Sequence, residues 1–343
     1  MNTALLQAFG RQAQACAGLG SAFMADLMQI LPTHLAQAPR LAALYDAWQG
    51  AVGPEGASLP LRLAGGLHAL VRSGHVPALA ACYPPHGGDG LARQVAIVLR
   101  DWDDWLCDWV RLPPQTNEVG RSAVLIAAAR ALTAKTGLPL RLSELGASAG
   151  LNLNFDHYRL HLGQAQSGPD RGVDLAPEWT GPLPPRADVR VVERRGVDLN
   201  PLNPAQDGAR LMAYVWPDQP ARMQRLAGAL DIARAAPAVV DCGDAAPWLE
   251  QRLAQPMPGV CHMVFHTVAH QYFPAATQAR IATAMQQAGA LARPDSPLAW
   301  VGMEADGAEP GAGLTLTLWP DGQCMPLGRA GFHGQWVQWA DAG

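Results

Sequence analysis

Beyond residue 137 the sequence alternates five short apolar runs with helical stretches. The runs are Leu140–Leu145, Val189–Arg194, Ala238–Asp241, Cys261–His266 and Leu298–Met303, and the clearest helical patterns lie at Ala209–Ala235 and Ala275–Leu291. Strands separated by helices predict a parallel sheet in an α/β fold, because two parallel neighbours can only be joined by a crossover. Open sheets of this kind bind their ligands outside the carboxyl ends of the strands. The chemistry of this chain is therefore expected where these runs end.

The first third follows a different period. Leu27, Ile30 and Leu31 share a helical face before Pro32, and Leu41, Leu44, Tyr45 and Trp48 repeat the pattern before Gly50. Leu59–Val71 predicts another helix. Leu91–Val110 predicts one more, with Trp102, Trp105 and Trp109 at helical spacing to pack against a neighbouring helix. Pro113-Pro114 breaks the chain. Thr116 is a suitable N-cap for a helix over Asn117–Thr136, which Gly137 and Pro139 end. Two domains are expected, a helical one over residues 1–112 and an α/β one over 113–343. The tail alternates cleanly at Leu314–Leu318 and again at Trp336–Trp339, with Pro320-Asp321-Gly322 between, and predicts a closing antiparallel hairpin. Residues 163–186 are rich in Pro and Gly.

Composition narrows the function classes. Hydrophobic residues make up 49% of the 343, which is too many for a disordered chain. A net charge of -4 argues against a general nucleic-acid binder. No stretch approaches the ~20 apolar residues that span a bilayer, so no membrane is expected. The N-terminus lacks a cationic start followed by an apolar run, so a cytoplasmic protein is expected. None of the six cysteines forms a C-x-x-C pair, and their thiols are expected reduced. His262, His266 and His270 fall at i, i+4 and i+8, but the first two sit in a run that reads as strand, so no metal site is expected. His157 and His161 lack the intervening Glu of a zinc-binding helix.

Candidate chemistry clusters after the strands. Glu144-Leu145-Gly146-Ala147-Ser148-Ala149-Gly150 ends the first in a loop of small residues. Such a loop lets a ligand approach the backbone, and a following helix would present its N–H groups to an anion. Asp198 follows the second strand, where an acid commonly holds a ribose hydroxyl pair. Cys242-Gly243-Asp244-Ala245 follows the third. The fourth leads to His266, His270 and Tyr272, candidates for acid–base work on a small-molecule substrate. Glu304 and His333 are weaker candidates. Ahead of the first strand, Glu118 and Arg121 stand beside Asn117.

This order resembles the Rossmann-like methyltransferases that use S-adenosylmethionine. The resemblance covers roughly residues 116–340. It implies a mostly parallel sheet with an antiparallel C-terminal hairpin, and S-adenosylmethionine as cofactor. Glu144 and the loop Gly146, Ala147, Ser148 and Gly150 would lie against that cofactor. Asp198 would hold the ribose, Asp244 and Ala245 would face the adenine, and Arg121 and Glu118 would meet the carboxylate and amine of the amino-acid part. The whole chain also resembles a bacterial family, domain of unknown function 2332. The matching segments are Thr116-Asn117-Glu118-Val119-Gly120-Arg121, Glu144 through Asn154, and Trp216-Pro217-Asp218-Gln219-Pro220. That family implies no reaction.

Two departures leave alternatives open. Ser148 replaces the middle glycine of the usual loop. The interval from Glu144 to Asp198 exceeds one helix and a turn. It predicts an insertion around Gly163–Asp188, unless the second strand lies near Tyr158–Leu162, which would take Asp198 out of the site. The loop also matches G-x-S-x-G, so Ser148 is a candidate hydrolase nucleophile. Its partners would be Asp198 or Asp244, with His266, His270 or His333. A non-catalytic nucleotide or metabolite binder of the same fold is the third reading.

Overall fold

The computed structural model describes residues 3–54 and 56–340. Its contacts divide the chain into two units, residues 1–116 with 207–224, and residues 117–206 with 225–343.

The first unit is helical. It contains α1 (Thr3–Gly18), α2 (Ala22–His34), α3 (Pro39–Asp46), α4 (Leu59–Arg72), α5 (Pro77–Ala80), α6 (Leu91–Asp101) and α7 (Asp103–Val110). Leu27, Leu31, Leu63, Leu67, Leu99 and Leu106 lie at the centre of its core. The single helix predicted over Leu91–Val110 is two helices. Trp102 leaves helical geometry between them (φ -120°, ψ 21°). The break frees Asp103 to serve another element: its carboxylate accepts from the backbone N–H groups of Arg40 and Leu41, each at 2.8 Å, in the first turn of α3. The tryptophan stripe packs as helix-facing residues do. Trp109 donates to the carbonyl of Arg62 in α4, and Trp105 stacks on it at 5.2 Å.

The segment Trp216-Pro217-Asp218-Gln219-Pro220 also belongs to this unit. Asp218 accepts from Ser21 Oγ at 2.6 Å and from the backbone N–H of Phe23 at 3.1 Å. Ser21 in turn accepts from the N–H of Met24, so an acid distant in sequence completes the N-cap of α2.

In the second unit α8 (Ser122–Thr136) leads into β1 (Leu140–Leu145). A glycine in the left-handed conformation, Gly137, stops α8. There follow β2 (Arg159–Leu162), β3 (Ala165–Ser167), β4 (Asp174–Leu175), β5 (Glu178–Thr180) and β6 (Val191–Asp198). Helix α9 (Gly208–Ala213) and the first residues of α10 (Pro220–Ala235) count with the first unit. The second resumes within α10 and continues with β7 (Val239–Cys242), α11 (Ala245–Leu253), β8 (Cys261–Thr267), α12 (Ala275–Ala290) and β9 (Leu298–Glu304). The chain closes with β10 (Ala312–Trp319), β11 (Gln323–Ala330) and β12 (Trp336–Trp339).

Among the described residues nine strands form one sheet in the order β5-β12-β11-β10-β9-β8-β1-β6-β7. Strands β7, β6, β1, β8 and β9 run parallel, and β10, β11 and β12 continue antiparallel. This is a mixed α/β architecture with a large, mostly parallel sheet and N-terminal helices. All six residues of β1 are buried, as befits the centre of a parallel sheet covered on both faces. Leu145, Val197 and Val264 form one face with α11 and α12.

The tail corrects the expected hairpin. Leu314–Leu318 pairs with Gln323–Ala330, and Trp336–Trp339 is the next strand out. β11 carries Pro326 and Gly328 and has no alternation to read. The Pro/Gly-rich stretch holds part of a small second sheet, β3-β2-β4, and the short strand β5. The candidate second strand near Tyr158–Leu162 is β2 of that small sheet, whereas β6 lies against β1. Asp198 therefore stands at the carboxyl end of the strand beside Glu144. Among the described residues no helix is long and apolar enough to cross a membrane.

Candidate functional site

The carboxyl ends of β1, β6, β7, β8 and β9 bring Glu144, Asp198, Asp244, the segment after Thr267 and Glu304 to one end of the sheet. Glu144 is the last polar residue of β1. It is 2% exposed, and its Oε2 is buried without a hydrogen-bond partner. Its register neighbours are Gly196 on β6 and Phe265 on β8, and neither side chain offers a donor. Burial first, and then the negative charge of Asp198, hold its carboxyl well above the ordinary value of 4.5, with Arg121 opposing. A buried acid left in this state costs free energy unless something answers it.

The loop after β1 is shaped by its small residues. Gly146 has φ +72°, and a Cβ there would stand 2.6 Å from Cβ of Ala269. Ser148 also takes the left-handed region, at φ 53°. The anion cradle expected here is not formed. Gly146 and Ala147 donate to the carbonyl of Val197, Gly150 to that of Ala147, and Ser148 to Asp198 Oδ2. Ala149 and Leu151 donate to Oδ1 of Asn117. Each backbone N–H from Gly146 to Leu151 thus has an acceptor within the protein. The segment that follows, Leu151–His157, is a 3-10 helix of seven residues rather than an α-helix. The signal missed in the sequence was Asn117. It lies at φ 37° and fastens this loop from 32 residues upstream.

Asp198 does two things at once. Its Oδ2 accepts from Ser148 at 2.8 Å and its Oδ1 from the N–H of Asn200 at 2.8 Å. Each carboxylate oxygen can accept a second hydrogen bond, so both keep capacity toward a ligand. Asp244 is exposed and caps α11 by accepting from Ala246 at 2.8 Å, with Ala245 buried behind it. Of the residues before β1, Glu118 accepts from the N–H of Gly120 at 3.0 Å. Arg121 donates to the carbonyls of Phe332 and Thr267, each at 2.9 Å.

On the other side of the loop, Glu304 organises the segment after β8. Its carboxylate lies 2.7 Å from His266 Nδ1 and accepts from the backbone N–H groups of Ala269, His270 and Gln271. Trp300 donates its indole N–H to His266 Nε2 at 3.0 Å. The tryptophan fixes the tautomer, since Nε2 must accept and Nδ1 must then donate to Glu304. Both nitrogens of His266 are engaged, which makes it a fastening for the loop rather than a ready base.

His270 stacks on His266 at 4.6 Å between Phe273 and Trp300, and its Nε2 is buried without a partner. Burial, then the neighbouring His266, push it down to about 4, so it is neutral near neutral pH. Tyr272 is 62% exposed. Val268 holds φ 51°, a costly conformation for a β-branched residue, at the point where the chain leaves β8.

The hydrolase arrangement finds little support here. Neither nitrogen of His266 is available to Ser148, and His270 Nε2 makes no hydrogen bond to it. His333 lies in the loop before β12, where its carbonyl closes over Gly120.

No curated protein and no solved structure matches the chain. The family described as an uncharacterized protein conserved in bacteria (DUF2332) matches residues 6–339, and the chain belongs to that family.

Proposed function

We propose that the chain binds S-adenosylmethionine at the carboxyl ends of β1, β6 and β7 and is a methyltransferase for a small acceptor. The observation that carries this reading is the buried, unpartnered Oε2 of Glu144, one strand away from a carboxylate with remaining acceptor capacity, Asp198. An ammonium group fits the first and a pair of hydroxyls the second. The strand order β7-β6-β1-β8-β9 supports a Rossmann-like methyltransferase-type fold, with the first strand central and the ligand at its carboxyl end.

When bound, the cofactor would supply an electrophilic methyl group. The residues of this chain would do the rest. Glu144 would take the amine of the amino-acid part. Asp198 would hold the ribose, and Asp244 and Ala245 would stand beside the base. The loop Gly146-Ala147-Ser148, its N–H groups already engaged, offers a fixed wall of small side chains rather than an anion site. Neutral His270 would accept a proton from the acceptor, and Glu304, His266 and Trp300 would keep its loop in place.

Calorimetric titration with S-adenosylmethionine and S-adenosylhomocysteine tests this. Saturable binding at one site, weakened about tenfold or more by Asp198→Asn, supports the reading. Absence of binding to either at millimolar ligand, with a folded protein carrying no copurified ligand, overturns it. Binding without turnover on any acceptor would leave a metabolite-binding protein. One observation favours the hydrolase reading, the left-handed backbone of Ser148 in a strand-to-helix turn. Labelling by a fluorophosphonate would decide for it.

A further inference from the structure

Glu144 stands in a setting that does not suit a carboxylate. Its Oε2 is sealed from solvent and lacks any donor. Phe265 and Gly196 flank it along the sheet. The groups that face it electrostatically are Asp198 from β6, Arg121 from the turn before α8, and Tyr158 after the 3-10 segment. None of the three answers its charge closely. Both oxygens of Asp198 are turned to backbone N–H groups, those of Ser148 and Asn200. The Tyr158 hydroxyl donates to the carbonyl of Leu151. Arg121 directs donors to Phe332 and Thr267. Two carboxyl groups sharing one partly desolvated site do not both ionise readily.

We propose that Glu144 is a neutral carboxylic acid in the ligand-free protein near neutral pH, and that it gives up its proton when the ammonium group of a ligand engages it. Capture of the ligand then releases one proton to solvent, with no other bond made or broken. The identity of the ligand rests on the methyltransferase reading, whereas the protonation of the free protein does not. Linkage fixes the sign. A ligand that binds only the ionised form gains affinity as pH rises, up to about tenfold per pH unit, until Glu144 ionises in the free protein.

The first arm of the test needs no ligand. In protein labelled at the glutamate side-chain carboxyl carbon, one resonance should sit at the position of a neutral acid at pH 7 and be missing in Glu144→Gln. Its titration midpoint should fall in Asp198→Asn, because the neighbouring negative charge is gone. The wild-type titration alone is decisive should either variant fail to fold. Carboxylate positions for every glutamate at pH 7 would overturn the proposal. The second arm titrates S-adenosylmethionine in two buffers of different ionisation enthalpy. About one proton should be released by the wild-type protein and none by Glu144→Gln. Binding with an ionised Glu144, or without proton release, overturns the coupling and leaves the cofactor reading standing. A neutral Glu144 with no binding at any pH sinks the cofactor reading and the coupling with it, while the buried acid remains.

Discussion

Glu304 and His266, 38 residues apart in sequence, meet at 2.7 Å across neighbouring parallel strands. The same carboxylate collects three consecutive backbone N–H groups from the loop that follows His266. One acid thus orients a histidine and folds the chain around it. Glu304→Gln keeps the shape but removes the charge, and a charge-assisted hydrogen bond contributes about 1.5–3 kcal/mol. The variant should lose stability in that range, read as a lower urea midpoint. On the methyltransferase reading proposed above, it should also lose more turnover than affinity for S-adenosylmethionine, because the loop after β8 and not the carboxyl ends of β1 and β6 is loosened.

The same carboxylate sets a pH dependence. Burial acts to raise its pKa, but the hydrogen bond from His266 and those from the backbone outweigh burial and hold it below the ordinary 4.5. A folded-state value below the unfolded one stabilises the protein fully above about pH 4.5, and that contribution fades as pH falls through the folded value. Urea midpoints of wild type and Glu304→Gln should converge as pH drops below this window. A constant gap between them down to pH 3 would refute the assignment.

Asp198 shows how far the sequence could be read. Its position after an apolar run singled it out as a candidate, and β6 lies beside β1. Its two backbone partners left no trace in the sequence. They make Asp198→Ala an ambiguous test, because that change leaves the N–H groups of Ser148 and Asn200 without acceptors. Asp198→Ala should therefore lower stability by about 1–3 kcal/mol, whatever it does to ligand binding. Asp198→Asn retains one acceptor oxygen and should cost less. Thermal unfolding of both variants without ligand measures the difference.

Strands β8 and β9 were legible because continuous burial demands a largely apolar sequence, whereas β1 is buried at all six positions although Arg141, Ser143 and Glu144 interrupt its leucines. Five residues of β8 are buried in an unbroken run, Met263 to Thr267. β11 was hidden by Pro326 and Gly328, and α11 by its nine-residue length and internal Pro247. Trp102 sits at perfect helical spacing in the chain, yet the helix breaks there, where Asp103 turns to cap α3. Contacts set by tertiary structure, such as Asn117 on the loop after β1 or Trp300 on His266, have no local signature at all. They account for most of what the site contains beyond its list of acids.

A buried ion cluster on the far half of the sheet gives a structural prediction. Glu193 pairs with Arg141 at 2.8 Å and with Arg252 at 2.5 Å. Arg252 also reaches Ser143, whose hydroxyl lies 2.8 Å from His262 Nε2. Both arginines are nearly inaccessible, so Glu193→Ala would strand two buried cations. Loss of one partner from such a group costs about 3–5 kcal/mol. The partial exposure of Glu193 places the expected value near the lower end. Unfolding in urea should shift accordingly, and a loss below about 1 kcal/mol would mean that solvent reaches both guanidinium groups.

Ser148 separates the two enzymatic readings by a substitution that keeps the backbone of its loop. A non-glycine residue at φ 53° bears a steric cost of about 1–2 kcal/mol, which glycine relieves at the expense of greater freedom in the unfolded chain. The backbone N–H that Ser148 gives to Asp198 survives in glycine. The strain relieved at this position should therefore offset up to about 1 kcal/mol of what the loss of the side chain costs. On the proposed methyltransferase reading Ser148→Gly should keep its affinity for S-adenosylmethionine, because that reading gives the loop only its backbone and small size. A nucleophilic serine would behave otherwise. The wild-type protein would then react with a fluorophosphonate at Ser148, and Ser148→Gly would lose all hydrolytic turnover. With both nitrogens of His266 engaged by Glu304 and Trp300, the expected result is an unlabelled Ser148. Stoichiometric labelling there would instead mean that another histidine, His270 or His333, swings in to activate it.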